Sequence, residues 1–524
     1  MKKKKGAIRL RATQFGPRVC AVLLSAVLVG LGIGQPGPAT AAAHRQLLLV
    51  LDGLRPDYVT PSLMPALYAL GRRGVVFENH HSVFPTVTRV NASSISTGAY
   101  PEVHGLLGNS VFFPQADKTR FLNTDDRATL QKIDAAVQGK LLTAPTLGET
   151  LQAAGKKLLV VSAGSSGSAF LLNHKVAGGA ILHTDFAMPE SFQAKVDAQL
   201  GGAISQPTSD GKDRRAVDIF LEVGLREVDP AVTIMWLTDP DTTAHEKGIG
   251  TPATVEALKA LDAEVGRLLD GLSRKGVLDD FDVWVTSDHG FSTNIGGPNL
   301  EPVLKPAAGT LPDGAPRLVS GGGAIYIRDH DRPTIARMVA DLQRTPGVGA
   351  IFTPAAQPGS LDGRVTGTLS FDAARWQHER SADILYAPDW TDRKNTYGYP
   401  GTTASGGVAG HGNSSPFDIH NTLIAAGPDL KRGVVLRAPS GNVDFAPTLL
   451  RLLGIGAPPS MQGRVLGEAL LGGADSSGAA VRSLKHSVRT GDNSYVLDAL
   501  FSVIESEGKS FRYLDRTEVT RASR

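Results

Sequence analysis

Asp288-His289-Gly290 forms one short stretch, and Asp241 is followed four residues on by His245. Gly410-His411-Gly412 lies far downstream, and Asp52 ends the apolar run QLLLVL. Carboxylates and imidazoles spread this way suit a pair of Zn²⁺ ions, which take nitrogen and oxygen donors from distant parts of a chain. Asp288 and His289 are adjacent, so they diverge usefully only on a strand-to-loop turn. Asp241 and His245 have the spacing of a loop or a first helical turn, from which both reach one ion. Glycines around His411 let its backbone bend close to a metal. A hydroxyl nucleophile is available in Pro85-Thr86-Val87-Thr88-Arg89-Val90-Asn91. A bound cation lowers the pKa of such a hydroxyl. By chemistry alone, Thr86 and Thr88 both qualify.

The elements that must position these groups alternate in period. Gln46 to Leu51, Leu158 to Ser162, Val232 to Leu237 and Phe281 to Thr286 read as buried parallel strands. Thr422 to Ala426 reads as a late strand. Helical patterns cover Leu63 to Leu70, closing at Gly71, and Thr146 to Ala154, closing at Gly155. Val255, Leu258, Leu261, Val265, Leu268 and Leu272 mark one face of a longer helix that Gly276 caps. Asp444 to Leu453 is a helix with proline in its first turn. This alternation predicts a three-layer α/β/α sandwich around a mostly parallel sheet. Ligands in such sheets gather beyond the carboxyl ends of strands. Asp52, Asp241 and Asp288 each follow a predicted strand, so three strands aim carboxylates at one edge.

Residues 1–43 read as a secretory signal peptide: a basic start, an apolar run from Val19 to Ile33, then small residues. An uncleaved anchor is the alternative, although the run is shorter than a spanning helix wants. The leader holds seven basic residues and no acid, so its removal takes the net charge from +3 to −4. Nothing global then points to a nucleic-acid partner or an anionic membrane. Cys20, the only cysteine, leaves with the leader, which excludes disulfides and thiolate ligands from the rest. Residues 44–471 form the expected catalytic domain. Within it, 291–410 reads as sheet-edge strands, such as Ala324 to Ile327 and Ile384 to Tyr386, plus an insertion or cap over the active edge. Residues 472–524 read as a linker and a C-terminal appendage.

Several motifs together resemble the nucleotide pyrophosphatase/phosphodiesterase branch of the alkaline phosphatase superfamily. They are Asp52-Gly53-Leu54-Arg55-Pro56-Asp57, the Pro85–Asn91 stretch, Ser96 to Gly105 with Asn109, Asp241 to His245, Ser287 to Gly290, Gly410 to Gly412, and Asp444 to Leu450. The resemblance spans about residues 46–465. It implies an alkaline phosphatase-like fold with Thr88 as the nucleophile that becomes phosphorylated. It implies one zinc held by Asp52, Asp288 and His289 beside the Thr88 oxygen, and another held by Asp241, His245 and His411. Asn109 matches an asparagine that donates to a phosphoryl oxygen, a role an amide beside the nucleophile can fill.

Two departures stand out. Arg89-Val90 replaces Phe-Pro, so a base-stacking ring is missing. Arg89 either meets a second anionic group on the substrate or pairs with a nearby acid. Ala244 replaces a glycine before His245. Asn91-Ala92-Ser93 is formally a glycosylation triplet, but its position favours hydrogen bonding in the core. Glu102 and His104 are expected to hold the Tyr100–Gly105 turn.

The leading expectation is an exported two-zinc phosphodiesterase or nucleotide pyrophosphatase, periplasmic or extracellular, acting on a small-molecule phosphoester. The alternatives are a phosphonoacetate-type phosphonate hydrolase, a phosphomonoesterase and, last, a metal-containing binding protein without turnover. A sulfatase is disfavoured because no C/S-x-P-x-R nucleophile motif is present. Oligomeric state has no signature here.

Overall fold

The computed structural model describes residues 43–204, 208–473 and 481–522. The leader reading and most of the Gly472–Ala480 linker reading fall outside these residues. Among the described residues no helix is long and apolar enough to cross a membrane.

Each predicted strand forms, most to the residue. Arg45–Leu51 sits between Phe281–Thr286 and Val232–Leu237, parallel to both. Leu158–Ser162 continues the parallel set beyond Val232–Leu237, and Ala180–His183 lies beyond it. On the other side, Leu423–Ala426 runs antiparallel to Phe281–Thr286. The full sheet has nine strands, and Ala187–Met188 and Val434–Leu436 close its two edges.

The first strand shows why the sheet is sandwiched. Leu47, Leu49 and Leu51 face one apolar cluster, with the helices Pro65–Arg73 and Pro252–Arg274. Leu48 and Val50 face another, with the helices Thr88–Thr97 and Phe445–Leu452. Both faces of the sheet are therefore covered, as unbroken apolar strands demand. The three-layer α/β/α expectation holds.

Two local expectations need correction. The first helix runs through Gly71 to Arg73 and ends at Gly74. Gly71 sits on its packed face, where a Cβ would press on Val76 at 3.0 Å, so close approach explains it better than a cap. Ala324–Ile327 and Ile384–Pro388 do not border the main sheet. They pair with each other in a separate five-stranded sheet, with Leu318–Gly321, Val348–Thr353 and Leu369–Ser370. Sequence period identifies a strand but not which sheet it joins.

A four-stranded sheet also lies in this region. Its Ala409–Gly410 strand pairs antiparallel with Ser292–Asn294 and leads directly into His411. The C-terminal strands Val481–Arg489, Tyr495–Ser506 and Lys509–Arg521 form a three-stranded antiparallel sheet. Tyr495, Leu497, Phe501 and Val503 share one apolar cluster with Ile351, Phe352 and Ile384 of the five-stranded sheet. Thr517 accepts from Trp390 Nε1 through its carbonyl and donates its N–H to the Ser414 carbonyl.

Candidate active site

The register of the three central strands brings the acids together. Val50 lies opposite Thr286 and Leu51 opposite Leu237, so all three strands end at one level. The turns beyond them are tied by backbone bonds: Asp52 N–H donates to the Leu237 carbonyl, and Asp241 N–H to the Asp52 carbonyl. Gly53 adopts φ +72° between them, and a Cβ there would meet Phe291 at 3.0 Å and Asp241 at 3.2 Å. Only glycine lets these turns approach so closely.

The three carboxylates meet the three imidazoles. His289 Nε2 lies 3.0 Å from Asp288 Oδ2 and 3.6 Å from Asp52 Oδ1. Asp241 Oδ1 lies 3.3 Å from His245 Nε2 and 3.4 Å from His411 Nε2. The donor atoms of Asp241, His245 and His411 all fall within 4.8 Å of one another, as do those of Asp52, Asp241 and His289. Asp241 thus lies between the two halves. The His289 and His411 rings stack at 3.5 Å.

Each of the three rings faces a backbone carbonyl with Nδ1: His245 faces Ala409, His289 faces Gly290 and His411 faces Thr86, at 3.0, 3.0 and 2.8 Å. A carbonyl only accepts, so Nδ1 carries the hydrogen, and Nε2 is left as a lone-pair donor aimed at the acids. Rings that ligate metals are held in this way. Asp52 Oδ1, Asp241 Oδ1 and Asp288 Oδ2 are buried without a sound hydrogen bond. Orphaned buried carboxylate oxygens are costly. A cation among these donors removes that cost, so the residues fit a metal centre.

Electrostatics agree. Burial pushes the Asp52 carboxyl well up, and the Asp288 and Asp241 carboxylates add to this. Burial also acts to raise Asp241, but the neighbouring His245 and His411 imidazoles outweigh it and hold Asp241 low. Burial and the neighbouring His289 push His411 well below the usual imidazole range. Three carboxylates and three imidazoles buried together thus shift one another strongly.

The structure separates the two threonines. Thr86 Oγ1 donates to the Asn413 carbonyl at 2.7 Å and accepts from Gly412 N–H, so its hydroxyl is committed. Thr88 Oγ1 lies 3.4 Å from His289 Nε2. Thr88 is the first residue of the helix Thr88–Thr97, where free N–H groups and the helix dipole favour negative charge. That helix, rich in Ser and Thr, has little intrinsic propensity. It is held from outside: Asn91 bonds Val83 through both its amide atoms and is fully buried, as the core reading expects.

Asn109 Oδ1 accepts the Arg89 backbone N–H at 2.9 Å. That bond fixes which amide atom accepts and leaves the NH₂ to donate elsewhere. Arg89 itself pairs with Asp125, Nη2 to Oδ1 at 2.8 Å, while its buried Nε has no partner. His104 Nδ1 accepts from Leu106 N–H, and Glu102 pairs with Arg375, so both hold the turn.

Sequence reasoning missed several supporting groups. Trp236 Nε1 donates to Asp52 Oδ2 at 2.9 Å. An indole inside a buried strand is a signal, since its N–H needs a partner. Asn442 Nδ2 and Ser82 Oγ both donate to the Asp288 carbonyl, at 2.9 and 2.6 Å. Asp125 as the partner of Arg89 had no local signal.

The model of the type I phosphodiesterase/nucleotide pyrophosphatase family matches residues 46–398. Human ectonucleotide pyrophosphatase/phosphodiesterase family member 1 is 26% identical over 258 residues, covering 48% of this chain and 24% of that protein. Human family member 7 is 25% identical over 278 residues, covering 53% and 54%. The chain thus spans between about a quarter and a half of the length of these curated relatives. A solved structure of murine ectonucleotide pyrophosphatase/phosphodiesterase 5, an inactive variant in complex with AMP, superposes with a TM-score of 0.56 at 17% identity. It covers 79% of this chain and 96% of the murine one, and it shows the shared fold.

Proposed function

The chain belongs to the type I phosphodiesterase/nucleotide pyrophosphatase family, and from that membership and the site geometry we propose that it is an exported two-zinc phosphodiesterase or nucleotide pyrophosphatase working through a phosphorylated Thr88. The observation that carries this reading is the trio of orphaned carboxylate oxygens facing three pre-set imidazole lone pairs beside one uncommitted threonine hydroxyl. Asp52, Asp288 and His289 would hold one ion, and Asp241, His245 and His411 the other. Zinc suits the mixed nitrogen and oxygen donors. When bound, such ions neutralise phosphoryl charge and ease ionisation of the threonine hydroxyl.

The chain's own residues do the rest. Thr88 Oγ1 forms a bond to phosphorus as the ester or anhydride oxygen departs. Water then cleaves the Thr88 ester and frees the nucleophile. The N-terminus of the Thr88–Thr97 helix favours the charge that develops at Oγ1. Asn109, with its oxygen tied to the Arg89 N–H, would use its free NH₂ to donate to the transferring group. The exposed His245 marks the solvent side of the cluster, where a departing group leaves. The names of the relatives and the AMP bound by the murine structure support nucleotides as the substrate class. Residues 291–410 would shape the substrate side, since the strand before His411 belongs to them. The basic, apolar, small-residue order of residues 1–43 supports export.

The test compares bis-p-nitrophenyl phosphate, p-nitrophenyl phosphate and phosphonoacetate on the zinc-loaded protein. Diester preference is expected. Preference for the monoester, or carbon–phosphorus cleavage, would replace this reading with another. Thr88→Ala should bind zinc normally and lose turnover, and wild-type turnover by that variant would end the nucleophile assignment.

A further inference from the structure

Away from the catalytic cluster, three side chains from distant parts of the chain meet: His81, His420 and Asp515. His81 lies on the short strand His80–His81, His420 follows the short helix Pro416–Ile419, and Asp515 lies on the last strand. Their donor atoms all fall within 4.8 Å of one another. His81 Nε2 lies 2.8 Å from Asp515 Oδ1, and the His81 and His420 rings are 4.7 Å apart. His81 is buried, and Tyr513 stacks on it at 5.3 Å.

The hydrogen bonds repeat the pattern of the catalytic histidines. His81 Nδ1 faces the Ser440 carbonyl at 2.8 Å, so that nitrogen carries a hydrogen, and Nε2 is turned to the carboxylate. The His420 ring packs against that of His81. His81 thus spends one nitrogen on the main chain and turns the other to the shared space. Two imidazoles and a carboxylate converging on one space offer a cation three ligand atoms.

We infer that His81, His420 and Asp515 form a third divalent-cation site of the zinc class, structural in role and separate from the two catalytic positions. Two imidazoles and a carboxylate suit zinc, with water completing four ligands. Tetrahedral zinc with bonds of about 2.1 Å separates its donors by about 3.4 Å, so the His81–Asp515 pair opens by a small side-chain rotation on binding. The site would clamp the last strand onto two segments that serve the active edge. His81 lies seven residues before Thr88, and His420 nine residues after His411.

The experiment is metal analysis of the full chain, loaded with zinc and desalted, for wild type, Asp515→Asn and His420→Gln. Each variant is expected to hold one ion fewer per chain than wild type while hydrolysing bis-p-nitrophenyl phosphate at a similar rate. Equal zinc content in all three would overturn the site and leave a simple His81–Asp515 ion pair. Because the readout is a difference between chains, it stands whatever the catalytic cluster binds. An anomalous scattering map at the zinc edge on wild-type crystals answers the same question without substitution. A peak between the three residues supports the site, and none there at full loading overturns it.

Discussion

Replacing Trp236 with phenylalanine removes one N–H and leaves most of the ring. In the native protein that N–H reaches Asp52 Oδ2 at 2.9 Å, and Trp236 is fully buried with Asp52 nearly so. Among the described residues this is the bond that holds Oδ2, while Oδ1 has no donor. Hydrogen bonds to charged groups contribute about 1.5–3 kcal/mol. At about 1.4 kcal/mol per decade, Trp236→Phe should weaken ion binding at the Asp52 position by roughly tenfold to a hundredfold. A chromophoric zinc chelator competing with the protein at neutral pH measures this directly, without reference to turnover. Saturating zinc should then restore most of the hydrolytic rate, because no group that touches substrate has changed. Zinc affinity within twofold of wild type, in a variant that melts normally, would refute the idea that the indole positions Asp52 for a cation.

Asn109→Asp keeps an acceptor for the Arg89 N–H but loses the donor, so kcat should fall by about a hundredfold or more with zinc content unchanged, as steady-state kinetics and metal analysis would show. Arg89→Met should raise KM for substrates carrying a second anionic group more than for bis-p-nitrophenyl phosphate; equal changes on both would mean the guanidinium serves only Asp125. Burial, helped by His378 and Arg380, pushes the His104 imidazole down to about 3. A base so lowered from about 6.5 contributes stability that is complete above pH 6.5 and lost as pH falls toward the folded value. At pH 5 the loss is about 2 kcal/mol. His104→Gln should therefore flatten the pH dependence of denaturant unfolding by about that amount between pH 7 and 5, and parallel profiles would contradict it.

The sheet was legible because its central strands are buried on both faces and so read as unbroken apolar runs, Leu47 to Leu51 being the clearest. The carboxylates were legible because each follows such a run, and parallel strands of matched length end together. The helix that begins at Thr88 was not legible. Ser93, Ser94, Ser96 and Thr97 are poor helix formers, held in part through Asn91, which bonds Val83 and the distant Asn442. By chemistry alone Thr86 and Thr88 stayed open until the resemblance pointed to Thr88, and the groups that occupy Thr86, Asn413 and Gly412, lie more than three hundred residues downstream. Arg89 left two readings open because its partner, Asp125, carries no mark in the sequence. The strands of 291–410 announced themselves, but partner choice among short strands depends on the surrounding fold.

The position of Arg45–Leu51 in the middle of the sheet bears on how the molecule is born. Both of its neighbours arrive much later from the ribosome, and Trp236 follows Asp52 by 184 positions. Until they emerge, a strand of nearly pure leucine and valine has no lateral partner and nowhere to hide. Such long-range pairing makes for slow assembly and leaves sticky intermediates. A cell producing this polypeptide must therefore shelter its early part, by chaperone or by prompt secretion, while the remainder is still being translated.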